Sequence, residues 1–343
     1  MHNIGTLFLF KMATGLKEIS NLTGYSLSTV SRVLANKISG NSPSAKEILT
    51  VAREIGYSKY RDAAPSSNRI LDIALITQHF SEEFYAYLYA SFDKICAEQN
   101  HSLTIHSLRY NKSIKEQLLY LSQNHDGFIL FLPTLDTYGY DVIKKSLKGY
   151  PIISIAPVFE PVFDTFTLDS YQGGALAAKQ FIESGVEKFG VIHGPPEKWE
   201  AELRKSGFYD TLEKESKKVS WSFKGDYSFE SGEMAFHDIF DNKIKKIGIF
   251  ASNDQMAVGF IHAALEKNAK IPGDYNIIGY DNILFSKIFY PKLTTINTDV
   301  DQLSFEALDY LVRMIKGQIK SGTAAKKTLI PVNLVERDTD KMR

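Results

Sequence analysis

The sequence contains a single cysteine, Cys96, in 343 residues. A lone cysteine excludes an intrachain disulfide, and with it a small disulfide-stapled secreted fold, and it fits a reducing cytoplasm. The sequence also lacks a run of about 20 apolar residues, which a membrane-spanning helix requires. The short apolar run Leu7–Phe10 has neither a preceding Lys or Arg nor the cleavage site of a signal peptide. We therefore predict a cytoplasmic protein with no membrane partner, in which residues 1–11 form a disordered extension.

Catalytic signatures are missing as well. No set of cysteines and histidines has the spacing of a metal site, and no G-x-S-x-G motif is present. The pair Gly173–Gly174 lacks the surrounding residues of a phosphate-binding loop, so we interpret it as a site of close helix packing. The sequence thus predicts no catalytic residue, no metal and no cofactor, and we expect the protein not to be an enzyme.

Charge is distributed unevenly, although 40 basic and 40 acidic side chains give a formal net charge of zero. Residues 1–61 contain eight Lys and Arg against three Asp and Glu, so the remaining chain carries the opposite excess. A basic head on a mildly acidic body is typical of a DNA-binding module joined to a separate domain.

The basic head contains the pattern of a helix-turn-helix. Apolar residues follow helical spacing in two short segments, which Gly24 separates. Glycine readily adopts the left-handed conformation in which helices often end, and Ser26 is a suitable N-cap for the second helix. Such motifs place the second helix in the major groove of DNA. The predicted DNA-contacting residues of this region are Leu27, Ser28, Thr29, Ser31, Arg32 and Asn36.

A third helix is predicted after the polar loop, with Ser44 as its N-cap. It completes a DNA-binding domain over residues 12–58. Residues 59–69 then form a linker that contains Pro65, and Lys59 and Arg61 are placed there to contact phosphates.

From Ile70 onward, continuous apolar runs alternate with amphipathic segments. This alternation indicates parallel sheets covered by helices on both faces. Because the alternations are too many for one compact lobe, we predict two similar α/β lobes: lobe 1 over residues 70–168 and 298–326, and lobe 2 over residues 169–297 and 327–337, followed by a tail at 338–343. The predicted strands are Ile70–Ile76, Ser102–Leu108, Gly127–Leu132, Pro151–Ile155, Lys188–His193, Lys245–Phe250 and Asn276–Tyr280.

The ends of these strands define a candidate ligand cleft, because ligands of such folds bind at the carboxyl ends of parallel strands. Arg, Asn and Asp side chains there offer paired donors and acceptors to sugar hydroxyls, and aromatic rings offer a face to pack on. The candidates are Gln78, His79, Phe84, Tyr85, Trp199, Arg204, Tyr227, Asn253 and Asp281.

Each candidate has a structural alternative. Asp281 would then only cap a turn, and Asn253 would only cap the helix that follows it. Arg204 would pair with Glu200 or Glu202 on a solvated helix, and Tyr227 would belong to the core.

Three ordered stretches carry a family resemblance: LKEISNLTGYSLSTVSRVL (Leu16–Leu34), SNDQMAVG (Ser252–Gly259), and IIGYDN (Ile277–Asn282) followed by YPKLTTI (Tyr290–Ile296). They resemble the lactose-repressor (LacI/GalR) family of bacterial transcription regulators over nearly the whole chain. The resemblance implies a periplasmic-binding-protein-like effector domain that forms homodimers and a headpiece that binds double-stranded operator DNA. It also implies that Arg204, Asn253 and Asp281 hydrogen-bond the effector and that Tyr227 packs on it.

Two positions depart from the family pattern. Ser66 stands where many members have a leucine that wedges into the minor groove, and Pro65 before it would interrupt a hinge helix. Ala156 stands where a polar effector contact is common. We therefore expect little operator bending and an altered effector contact.

The sequence thus predicts a transcription regulator, a repressor of a carbohydrate-utilisation operon, controlled by a sugar or sugar derivative. The alternatives are a regulator of the same family that responds to a purine or another metabolite, a sugar-binding receptor without a DNA role, and an α/β enzyme with a helical appendage. The absence of a signal peptide speaks against the receptor, and the absence of a nucleophile or cofactor loop speaks against the enzyme.

Overall fold

The computed structural model describes residues 16–34, 42–54, 69–78, 83–109, 111–319 and 324–341. The predicted extension, nearly all of the linker, and the positions Asn36, Lys59, Arg61 and His79 lie outside the described residues.

Three short helices open the described chain: α1 (Leu16–Thr23), α2 (Leu27–Leu34) and α3 (Pro43–Glu54). They enclose a small core around Ile19, Val30 and Ile48, which are fully buried. Gly24 has a φ of +72°, and the Ser26 Oγ accepts a hydrogen bond from the Thr29 amide at 3.2 Å. The predicted helix, turn and cap are therefore present.

The start of α3 differs from the prediction. The Ser42 Oγ accepts the Ala45 N–H at 3.2 Å, so Ser42 caps the helix and Ser44 lies inside it. The reason is Pro43, which has no N–H to satisfy and a backbone angle already suited to the first helical position.

The remaining described chain forms two six-stranded sheets. The first sheet has the order β11-β5-β4-β3-β1-β2, with every neighbouring pair parallel. Its elements are β1 (Asp72–Thr77), α4 (Glu83–Glu98), β2 (Ser102–Ser107), α5 (Ile114–Leu121), β3 (Gly127–Phe131), α6 (Thr137–Ser146), β4 (Ile152–Ser154), β5 (Thr165–Leu168), α12 (Val300–Ile315) and β11 (Lys327–Ile330).

The second sheet has the order β12-β10-β9-β8-β6-β7 and is parallel except for β12, which runs antiparallel to β10. Its elements are α7 (Ser170–Glu183), β6 (Phe189–His193), α8 (Trp199–Lys214), β7 (Val219–Lys224), α9 (Phe229–Asp241), β8 (Ile247–Ala251), α10 (Asp254–Glu266), β9 (Tyr275–Asp281), α11 (Leu284–Ile288), β10 (Thr294–Thr298) and β12 (Val332–Val335). The two-lobed α/β fold predicted from the sequence is confirmed.

The chain passes between the lobes three times. The crossings after β5 and after β10 fall where the sequence predicts them. The third differs, because the sequence predicts that residues 327–337 belong wholly to lobe 2. Pro331 divides this segment: β11 pairs with β5 in lobe 1, and β12 pairs with β10 in lobe 2. Proline lacks the N–H that a continuous strand would use.

A close helix crossing fixes α8 in lobe 2. A Cβ placed on Gly174 of α7 would lie 1.9 Å from the Arg204 carbonyl oxygen, and one on Gly207 of α8 would lie 1.9 Å from the Tyr171 carbonyl oxygen. Only glycine permits such backbone contact. The predicted packing role of the glycine pair in α7 is consistent with this geometry.

Within the described part of the chain, no helix combines the length and the apolar character that crossing a bilayer demands.

Candidate functional site

A cleft lies between the two lobes, and the space between its atoms, including the part open to solvent, is about 600 Å³. Every element that lines it does so near the carboxyl end of a strand, as the topology of parallel sheets requires. The lining residues are Phe84, Tyr85, Leu88, Phe131, Ile155, Pro157, Thr167, Leu168, Ser170, Glu200, Arg204, Tyr227, Asn253, Asp281 and Leu303.

Arg204 is the central cation of the cleft and is only 6% exposed. Its guanidinium donates to the Ser252 carbonyl oxygen at 2.5 Å and to the Asp281 carboxylate at 3.4 Å. The guanidinium carbon also lies 3.7 Å from the centre of the Tyr280 ring, as in a cation–π contact. Arg204 thus pairs with Asp281 rather than with Glu202, which pairs with Lys205.

Neighbouring groups stabilise the charged form of Arg204, although the side chain is buried. Burial alone disfavours the cation, but Tyr227, Asp281, Tyr280 and Glu200 surround it and raise the pKa of the guanidinium above its ordinary value. The Arg204 Nε has no hydrogen-bond partner among the described residues. A buried donor without a partner is costly.

Two cleft residues have strained backbones. Asp281 has a φ of +108° and Tyr227 a φ of +74°, and neither is a glycine. Such conformations persist where the surrounding structure over-determines them, and they cluster at functional sites. In this conformation the Asp281 carboxylate contacts Arg204, and the Tyr227 ring lies against Gly194, where a larger residue would collide with it.

Asn253 has the structural role that the alternative interpretation gave it, and it also lines the cleft. Its side-chain oxygen caps α10 by accepting the Met256 amide at 3.0 Å, and its Nδ2 donates to the Tyr227 carbonyl oxygen at 2.9 Å. The remaining lone pair and N–H of this amide are the groups that it offers to a ligand.

The two walls of the cleft differ in chemistry. Lobe 1 contributes mainly apolar side chains, among them Tyr85 and Phe131, whose rings lie 5.4 Å apart. Lobe 2 contributes Glu200, Arg204 and Asp281. Ala156 is fully buried and does not line the cleft, although its neighbours Ile155 and Pro157 do.

Six of the nine predicted cleft residues line the cleft: Phe84, Tyr85, Arg204, Tyr227, Asn253 and Asp281. Two do not. Gln78 accepts a hydrogen bond from Thr134, and Trp199 packs edge-on against Phe159 at 5.4 Å.

Several apolar lining residues, such as Leu88 and Leu303, were not predicted, because a search for polar ligands passes over them. Their only sequence signal is that they lie on α4 and α12, the helices that follow β1 and β10.

The exposed face of α2 is the second candidate site. Leu27, Ser28, Ser31 and Arg32 are exposed and Thr29 is half-buried, while Val30, Val33 and Leu34 face the helical core. The polar face is therefore available to a partner.

The comparisons agree with this architecture. Residues 178–339 match the family model described as a periplasmic binding protein-like domain. The HTH-type transcriptional repressor PurR of Histophilus somni is 27% identical over 310 residues, which cover 89% of this chain and 92% of the repressor. The lac repressor dimer bound to operator and the anti-inducer ONPF is a structural neighbour with a TM-score of 0.72 and 23% identity, covering 96% of this chain and 99% of that one. The transcriptional regulator CelR in complex with cellobiose has a TM-score of 0.69 and 23% identity, covering 95% and 100%.

Helix-turn-helix geometry at the N-terminus and a two-lobed sensor with a central cleft define the class of ligand-responsive transcription regulators. Within this class, the chain is similar over nearly its whole length to transcriptional repressors, and it resembles the LacI/GalR family. Its curated relatives are transcription regulators rather than enzymes.

Proposed function

We propose that the chain is a sequence-specific DNA-binding repressor whose operator affinity is controlled by a small effector bound between the lobes. One observation carries this proposal: a single chain joins an exposed polar recognition helix, α2, to a cleft that buries an Arg204–Asp281 pair. Two headpieces in a dimer would read a pseudo-palindromic operator in successive major grooves. Effector binding alters the lobes and hence the headpieces, so effector and operator affinities are coupled reciprocally.

The effector in this proposal is a sugar or sugar derivative of a carbohydrate-utilisation operon. Arg204, Asn253 and Asp281 offer paired donors and acceptors to vicinal hydroxyls. Aromatic side chains of lobe 1 offer a surface for the C–H face of the ring. The cellobiose complex of CelR supports a carbohydrate.

A purine is the second candidate, and a specific observation favours it. Phe84, Tyr85 and Phe131 lie together on an otherwise apolar wall, and such a wall also stacks well against a flat heteroaromatic ring. The polar residues of lobe 2 would then meet the edge of the base.

The test is fluorescence anisotropy of the full chain with DNA from its own upstream region, at two salt concentrations. Cellobiose, ribose, o-nitrophenyl galactoside, adenine and guanine form the effector panel. We expect tight binding that weakens with salt and that one sugar alters. A response to a purine alone would overturn the sugar assignment, and the absence of specific binding would overturn the repressor.

A homodimer is the assembly that this function requires, and an exposed apolar patch supports it. Leu284, Phe285, Ile288 and Tyr290 project from and just beyond α11, and Tyr290 is 81% exposed. The patch adjoins α4, because the Leu284 amide donates to the Glu83 carboxylate at 3.2 Å. A contiguous exposed apolar patch marks an interaction surface, and a second copy of the same patch is its natural partner in a two-fold dimer.

Ile288→Asp tests this interface. Ile288 is 63% exposed in the single chain, so the change leaves the fold intact but places a charge in the proposed interface. We expect the dimer dissociation constant to rise by about 100-fold or more, as measured by sedimentation equilibrium, with a parallel loss of operator affinity. Tyr120→Asp, at an exposed aromatic residue of α5, is the matched control. A variant that remains fully dimeric would place the interface elsewhere.

A further inference from the structure

Asp254 is a fully buried carboxyl group directly behind the cleft. It is the first residue of α10 and follows Asn253, but it does not line the cleft. Its Oδ2 accepts the Ile283 N–H at 3.0 Å, and its Oδ1 lies 2.5 Å from the Thr295 Oγ of β10. The side chain therefore ties the start of one helix to the turn after β9 and to the neighbouring strand.

The turn that Asp254 contacts is the one that presents Asp281. Asp281 and Asn282 are consecutive non-glycine residues with φ of +108° and +56°, a conformation that outside contacts must hold. Besides the bond to Ile283, the Asn282 amide donates to the Thr295 Oγ at 3.4 Å. Arg337 braces the turn from the other side by donating to the Asn282 Oδ1 at 2.5 Å.

Gly279 shows how closely the Asp254 carboxyl group packs against β9. A Cβ on Gly279 would lie 2.1 Å from the Asp254 Oδ1. The carboxyl group thus fills the space beside β9 that the missing side chain leaves, two residues before Asp281. Strand and turn are positioned by the same group.

The surroundings of Asp254 favour the neutral acid. Burial raises the pKa of its carboxyl group well above the ordinary value, and the Asp281 carboxylate raises it further, while Thr295, the Ile283 N–H and Arg337 act in the opposite direction. The charged groups that face it are Asp281, at the end of β9, and Arg337, in the C-terminal segment. An ionised Asp254 would place a second anion directly behind Asp281.

We propose that Asp254 is a positioning residue which, as an uncharged carboxylic acid, holds the turn at 281–283 in the conformation that presents the Asp281 carboxylate to the effector. Oδ2 accepts the Ile283 N–H in both protonation states. The Thr295 hydroxyl donates to Oδ1 when the carboxyl group is ionised, and it rotates to accept the hydrogen bond of the Oδ1 proton when the group is neutral. Asp281 is then the single carboxylate that pairs with Arg204. The effector part of this proposal rests on the proposed function, whereas the positioning of the turn does not.

Hydrogen exchange in the full chain tests the positioning. Asp254→Ala removes both contacts, whereas Asp254→Asn keeps them, because its amide donates to Thr295 and accepts from Ile283. We expect the amides of residues 282–286 to exchange about tenfold faster or more in D254A and at the wild-type rate in D254N. If D254A does not fold, Thr295→Val removes one of the two contacts and should accelerate the same amides. Unchanged exchange in D254A, or in T295V where D254A does not fold, overturns the proposal.

The pH dependence of stability tests the proton. A carboxyl group with a raised pKa in the folded state makes the folded state bind more protons than the unfolded state, so stability falls as pH rises from the unfolded to the folded pKa. In this window the unfolding constant of the wild type should rise by up to about tenfold per pH unit relative to D254N, which cannot titrate. Parallel urea-unfolding profiles of the two proteins would mean that Asp254 is ionised.

The panel of effector compounds tests whether the positioning of the turn by Asp254 also affects effector binding. With the compound that alters operator binding, we expect D254A to lose about tenfold or more in effector affinity and D254N to keep it. Wild-type affinity in a folded D254A would overturn the link to the effector. If no compound acts on the wild type, the proposed effector function fails, while the exchange and stability measurements still decide the role of Asp254.

Discussion

Asp281→Asn is expected to shift the effector response to roughly 10- to 100-fold higher effector concentration and to leave operator binding without effector unchanged. The Asp281 carboxylate is almost completely buried against Arg204. A hydrogen bond to a charged group contributes about 1.5–3 kcal/mol, so its loss should weaken effector binding by roughly 10- to 100-fold. Asparagine keeps the shape of the side chain and tolerates a positive φ better than most residues, so the turn itself should persist.

The measurement is a titration of the operator complex with the active compound of the panel, followed by anisotropy. Asp241→Asn, which removes an exposed carboxylate at the end of α9, is the matched control and should respond as the wild type does. An unchanged effector midpoint in Asp281→Asn would show that the effector does not contact this carboxylate.

Hydrophobic periodicity predicts the strands whose buried side chains are aliphatic. All seven strands predicted between Ile70 and Tyr280 are present within about two residues of the predicted bounds. Five strands were not predicted: β5, β7, β10, β11 and β12. The strand β10 illustrates the reason, because Thr294 and Thr295 are fully buried and bond to Asp340 and Asp254. Such polar side chains are acceptable in a core only through tertiary partners, which a local pattern does not contain.

The cleft is predictable to a similar extent. Polar residues at strand ends identify the lobe 2 side, since Arg204, Asn253 and Asp281 all line the cleft. The sequence does not distinguish a residue that lines the cleft from a neighbouring residue that does not. Trp199 lies one residue before Glu200, yet only Glu200 lines the cleft, because the Trp199 ring packs against Phe159 of the other lobe. Contacts between the lobes depend on how the two lobes are placed against each other, and no single segment of the sequence determines that placement.

The division of the cleft into an apolar and a polar wall bears on how an effector would act. Each lobe alone presents only one kind of surface, so a ligand with both an apolar face and hydroxyl groups or a polar edge gains its full binding energy only when both lobes contact it. Such a ligand binds the closed arrangement better than the open one, and this difference in affinity is what shifts a conformational equilibrium. The Phe159–Trp199 contact and the Glu83–Leu284 hydrogen bond already join the two lobes directly.

Arg32→Ala should weaken operator binding without altering the affinity for effector. Arg32 is exposed on the polar face of α2, and the buried Val33 beside it anchors the helix. A base-contacting arginine contributes about 1–3 kcal/mol, so we expect operator affinity to fall by roughly 5- to 150-fold.

The matched control is Lys46→Ala, which removes the same charge from an exposed position on a different helix, α3. If Arg32 reads a base, its loss should lower affinity for the operator more than for a scrambled duplex, whereas loss of a phosphate contact should lower both equally. Anisotropy with both duplexes at two salt concentrations makes this distinction. Operator affinity equal to that of the wild type would remove Arg32 from the interface, and a changed effector affinity would contradict the separation of the headpiece from the sensor lobes.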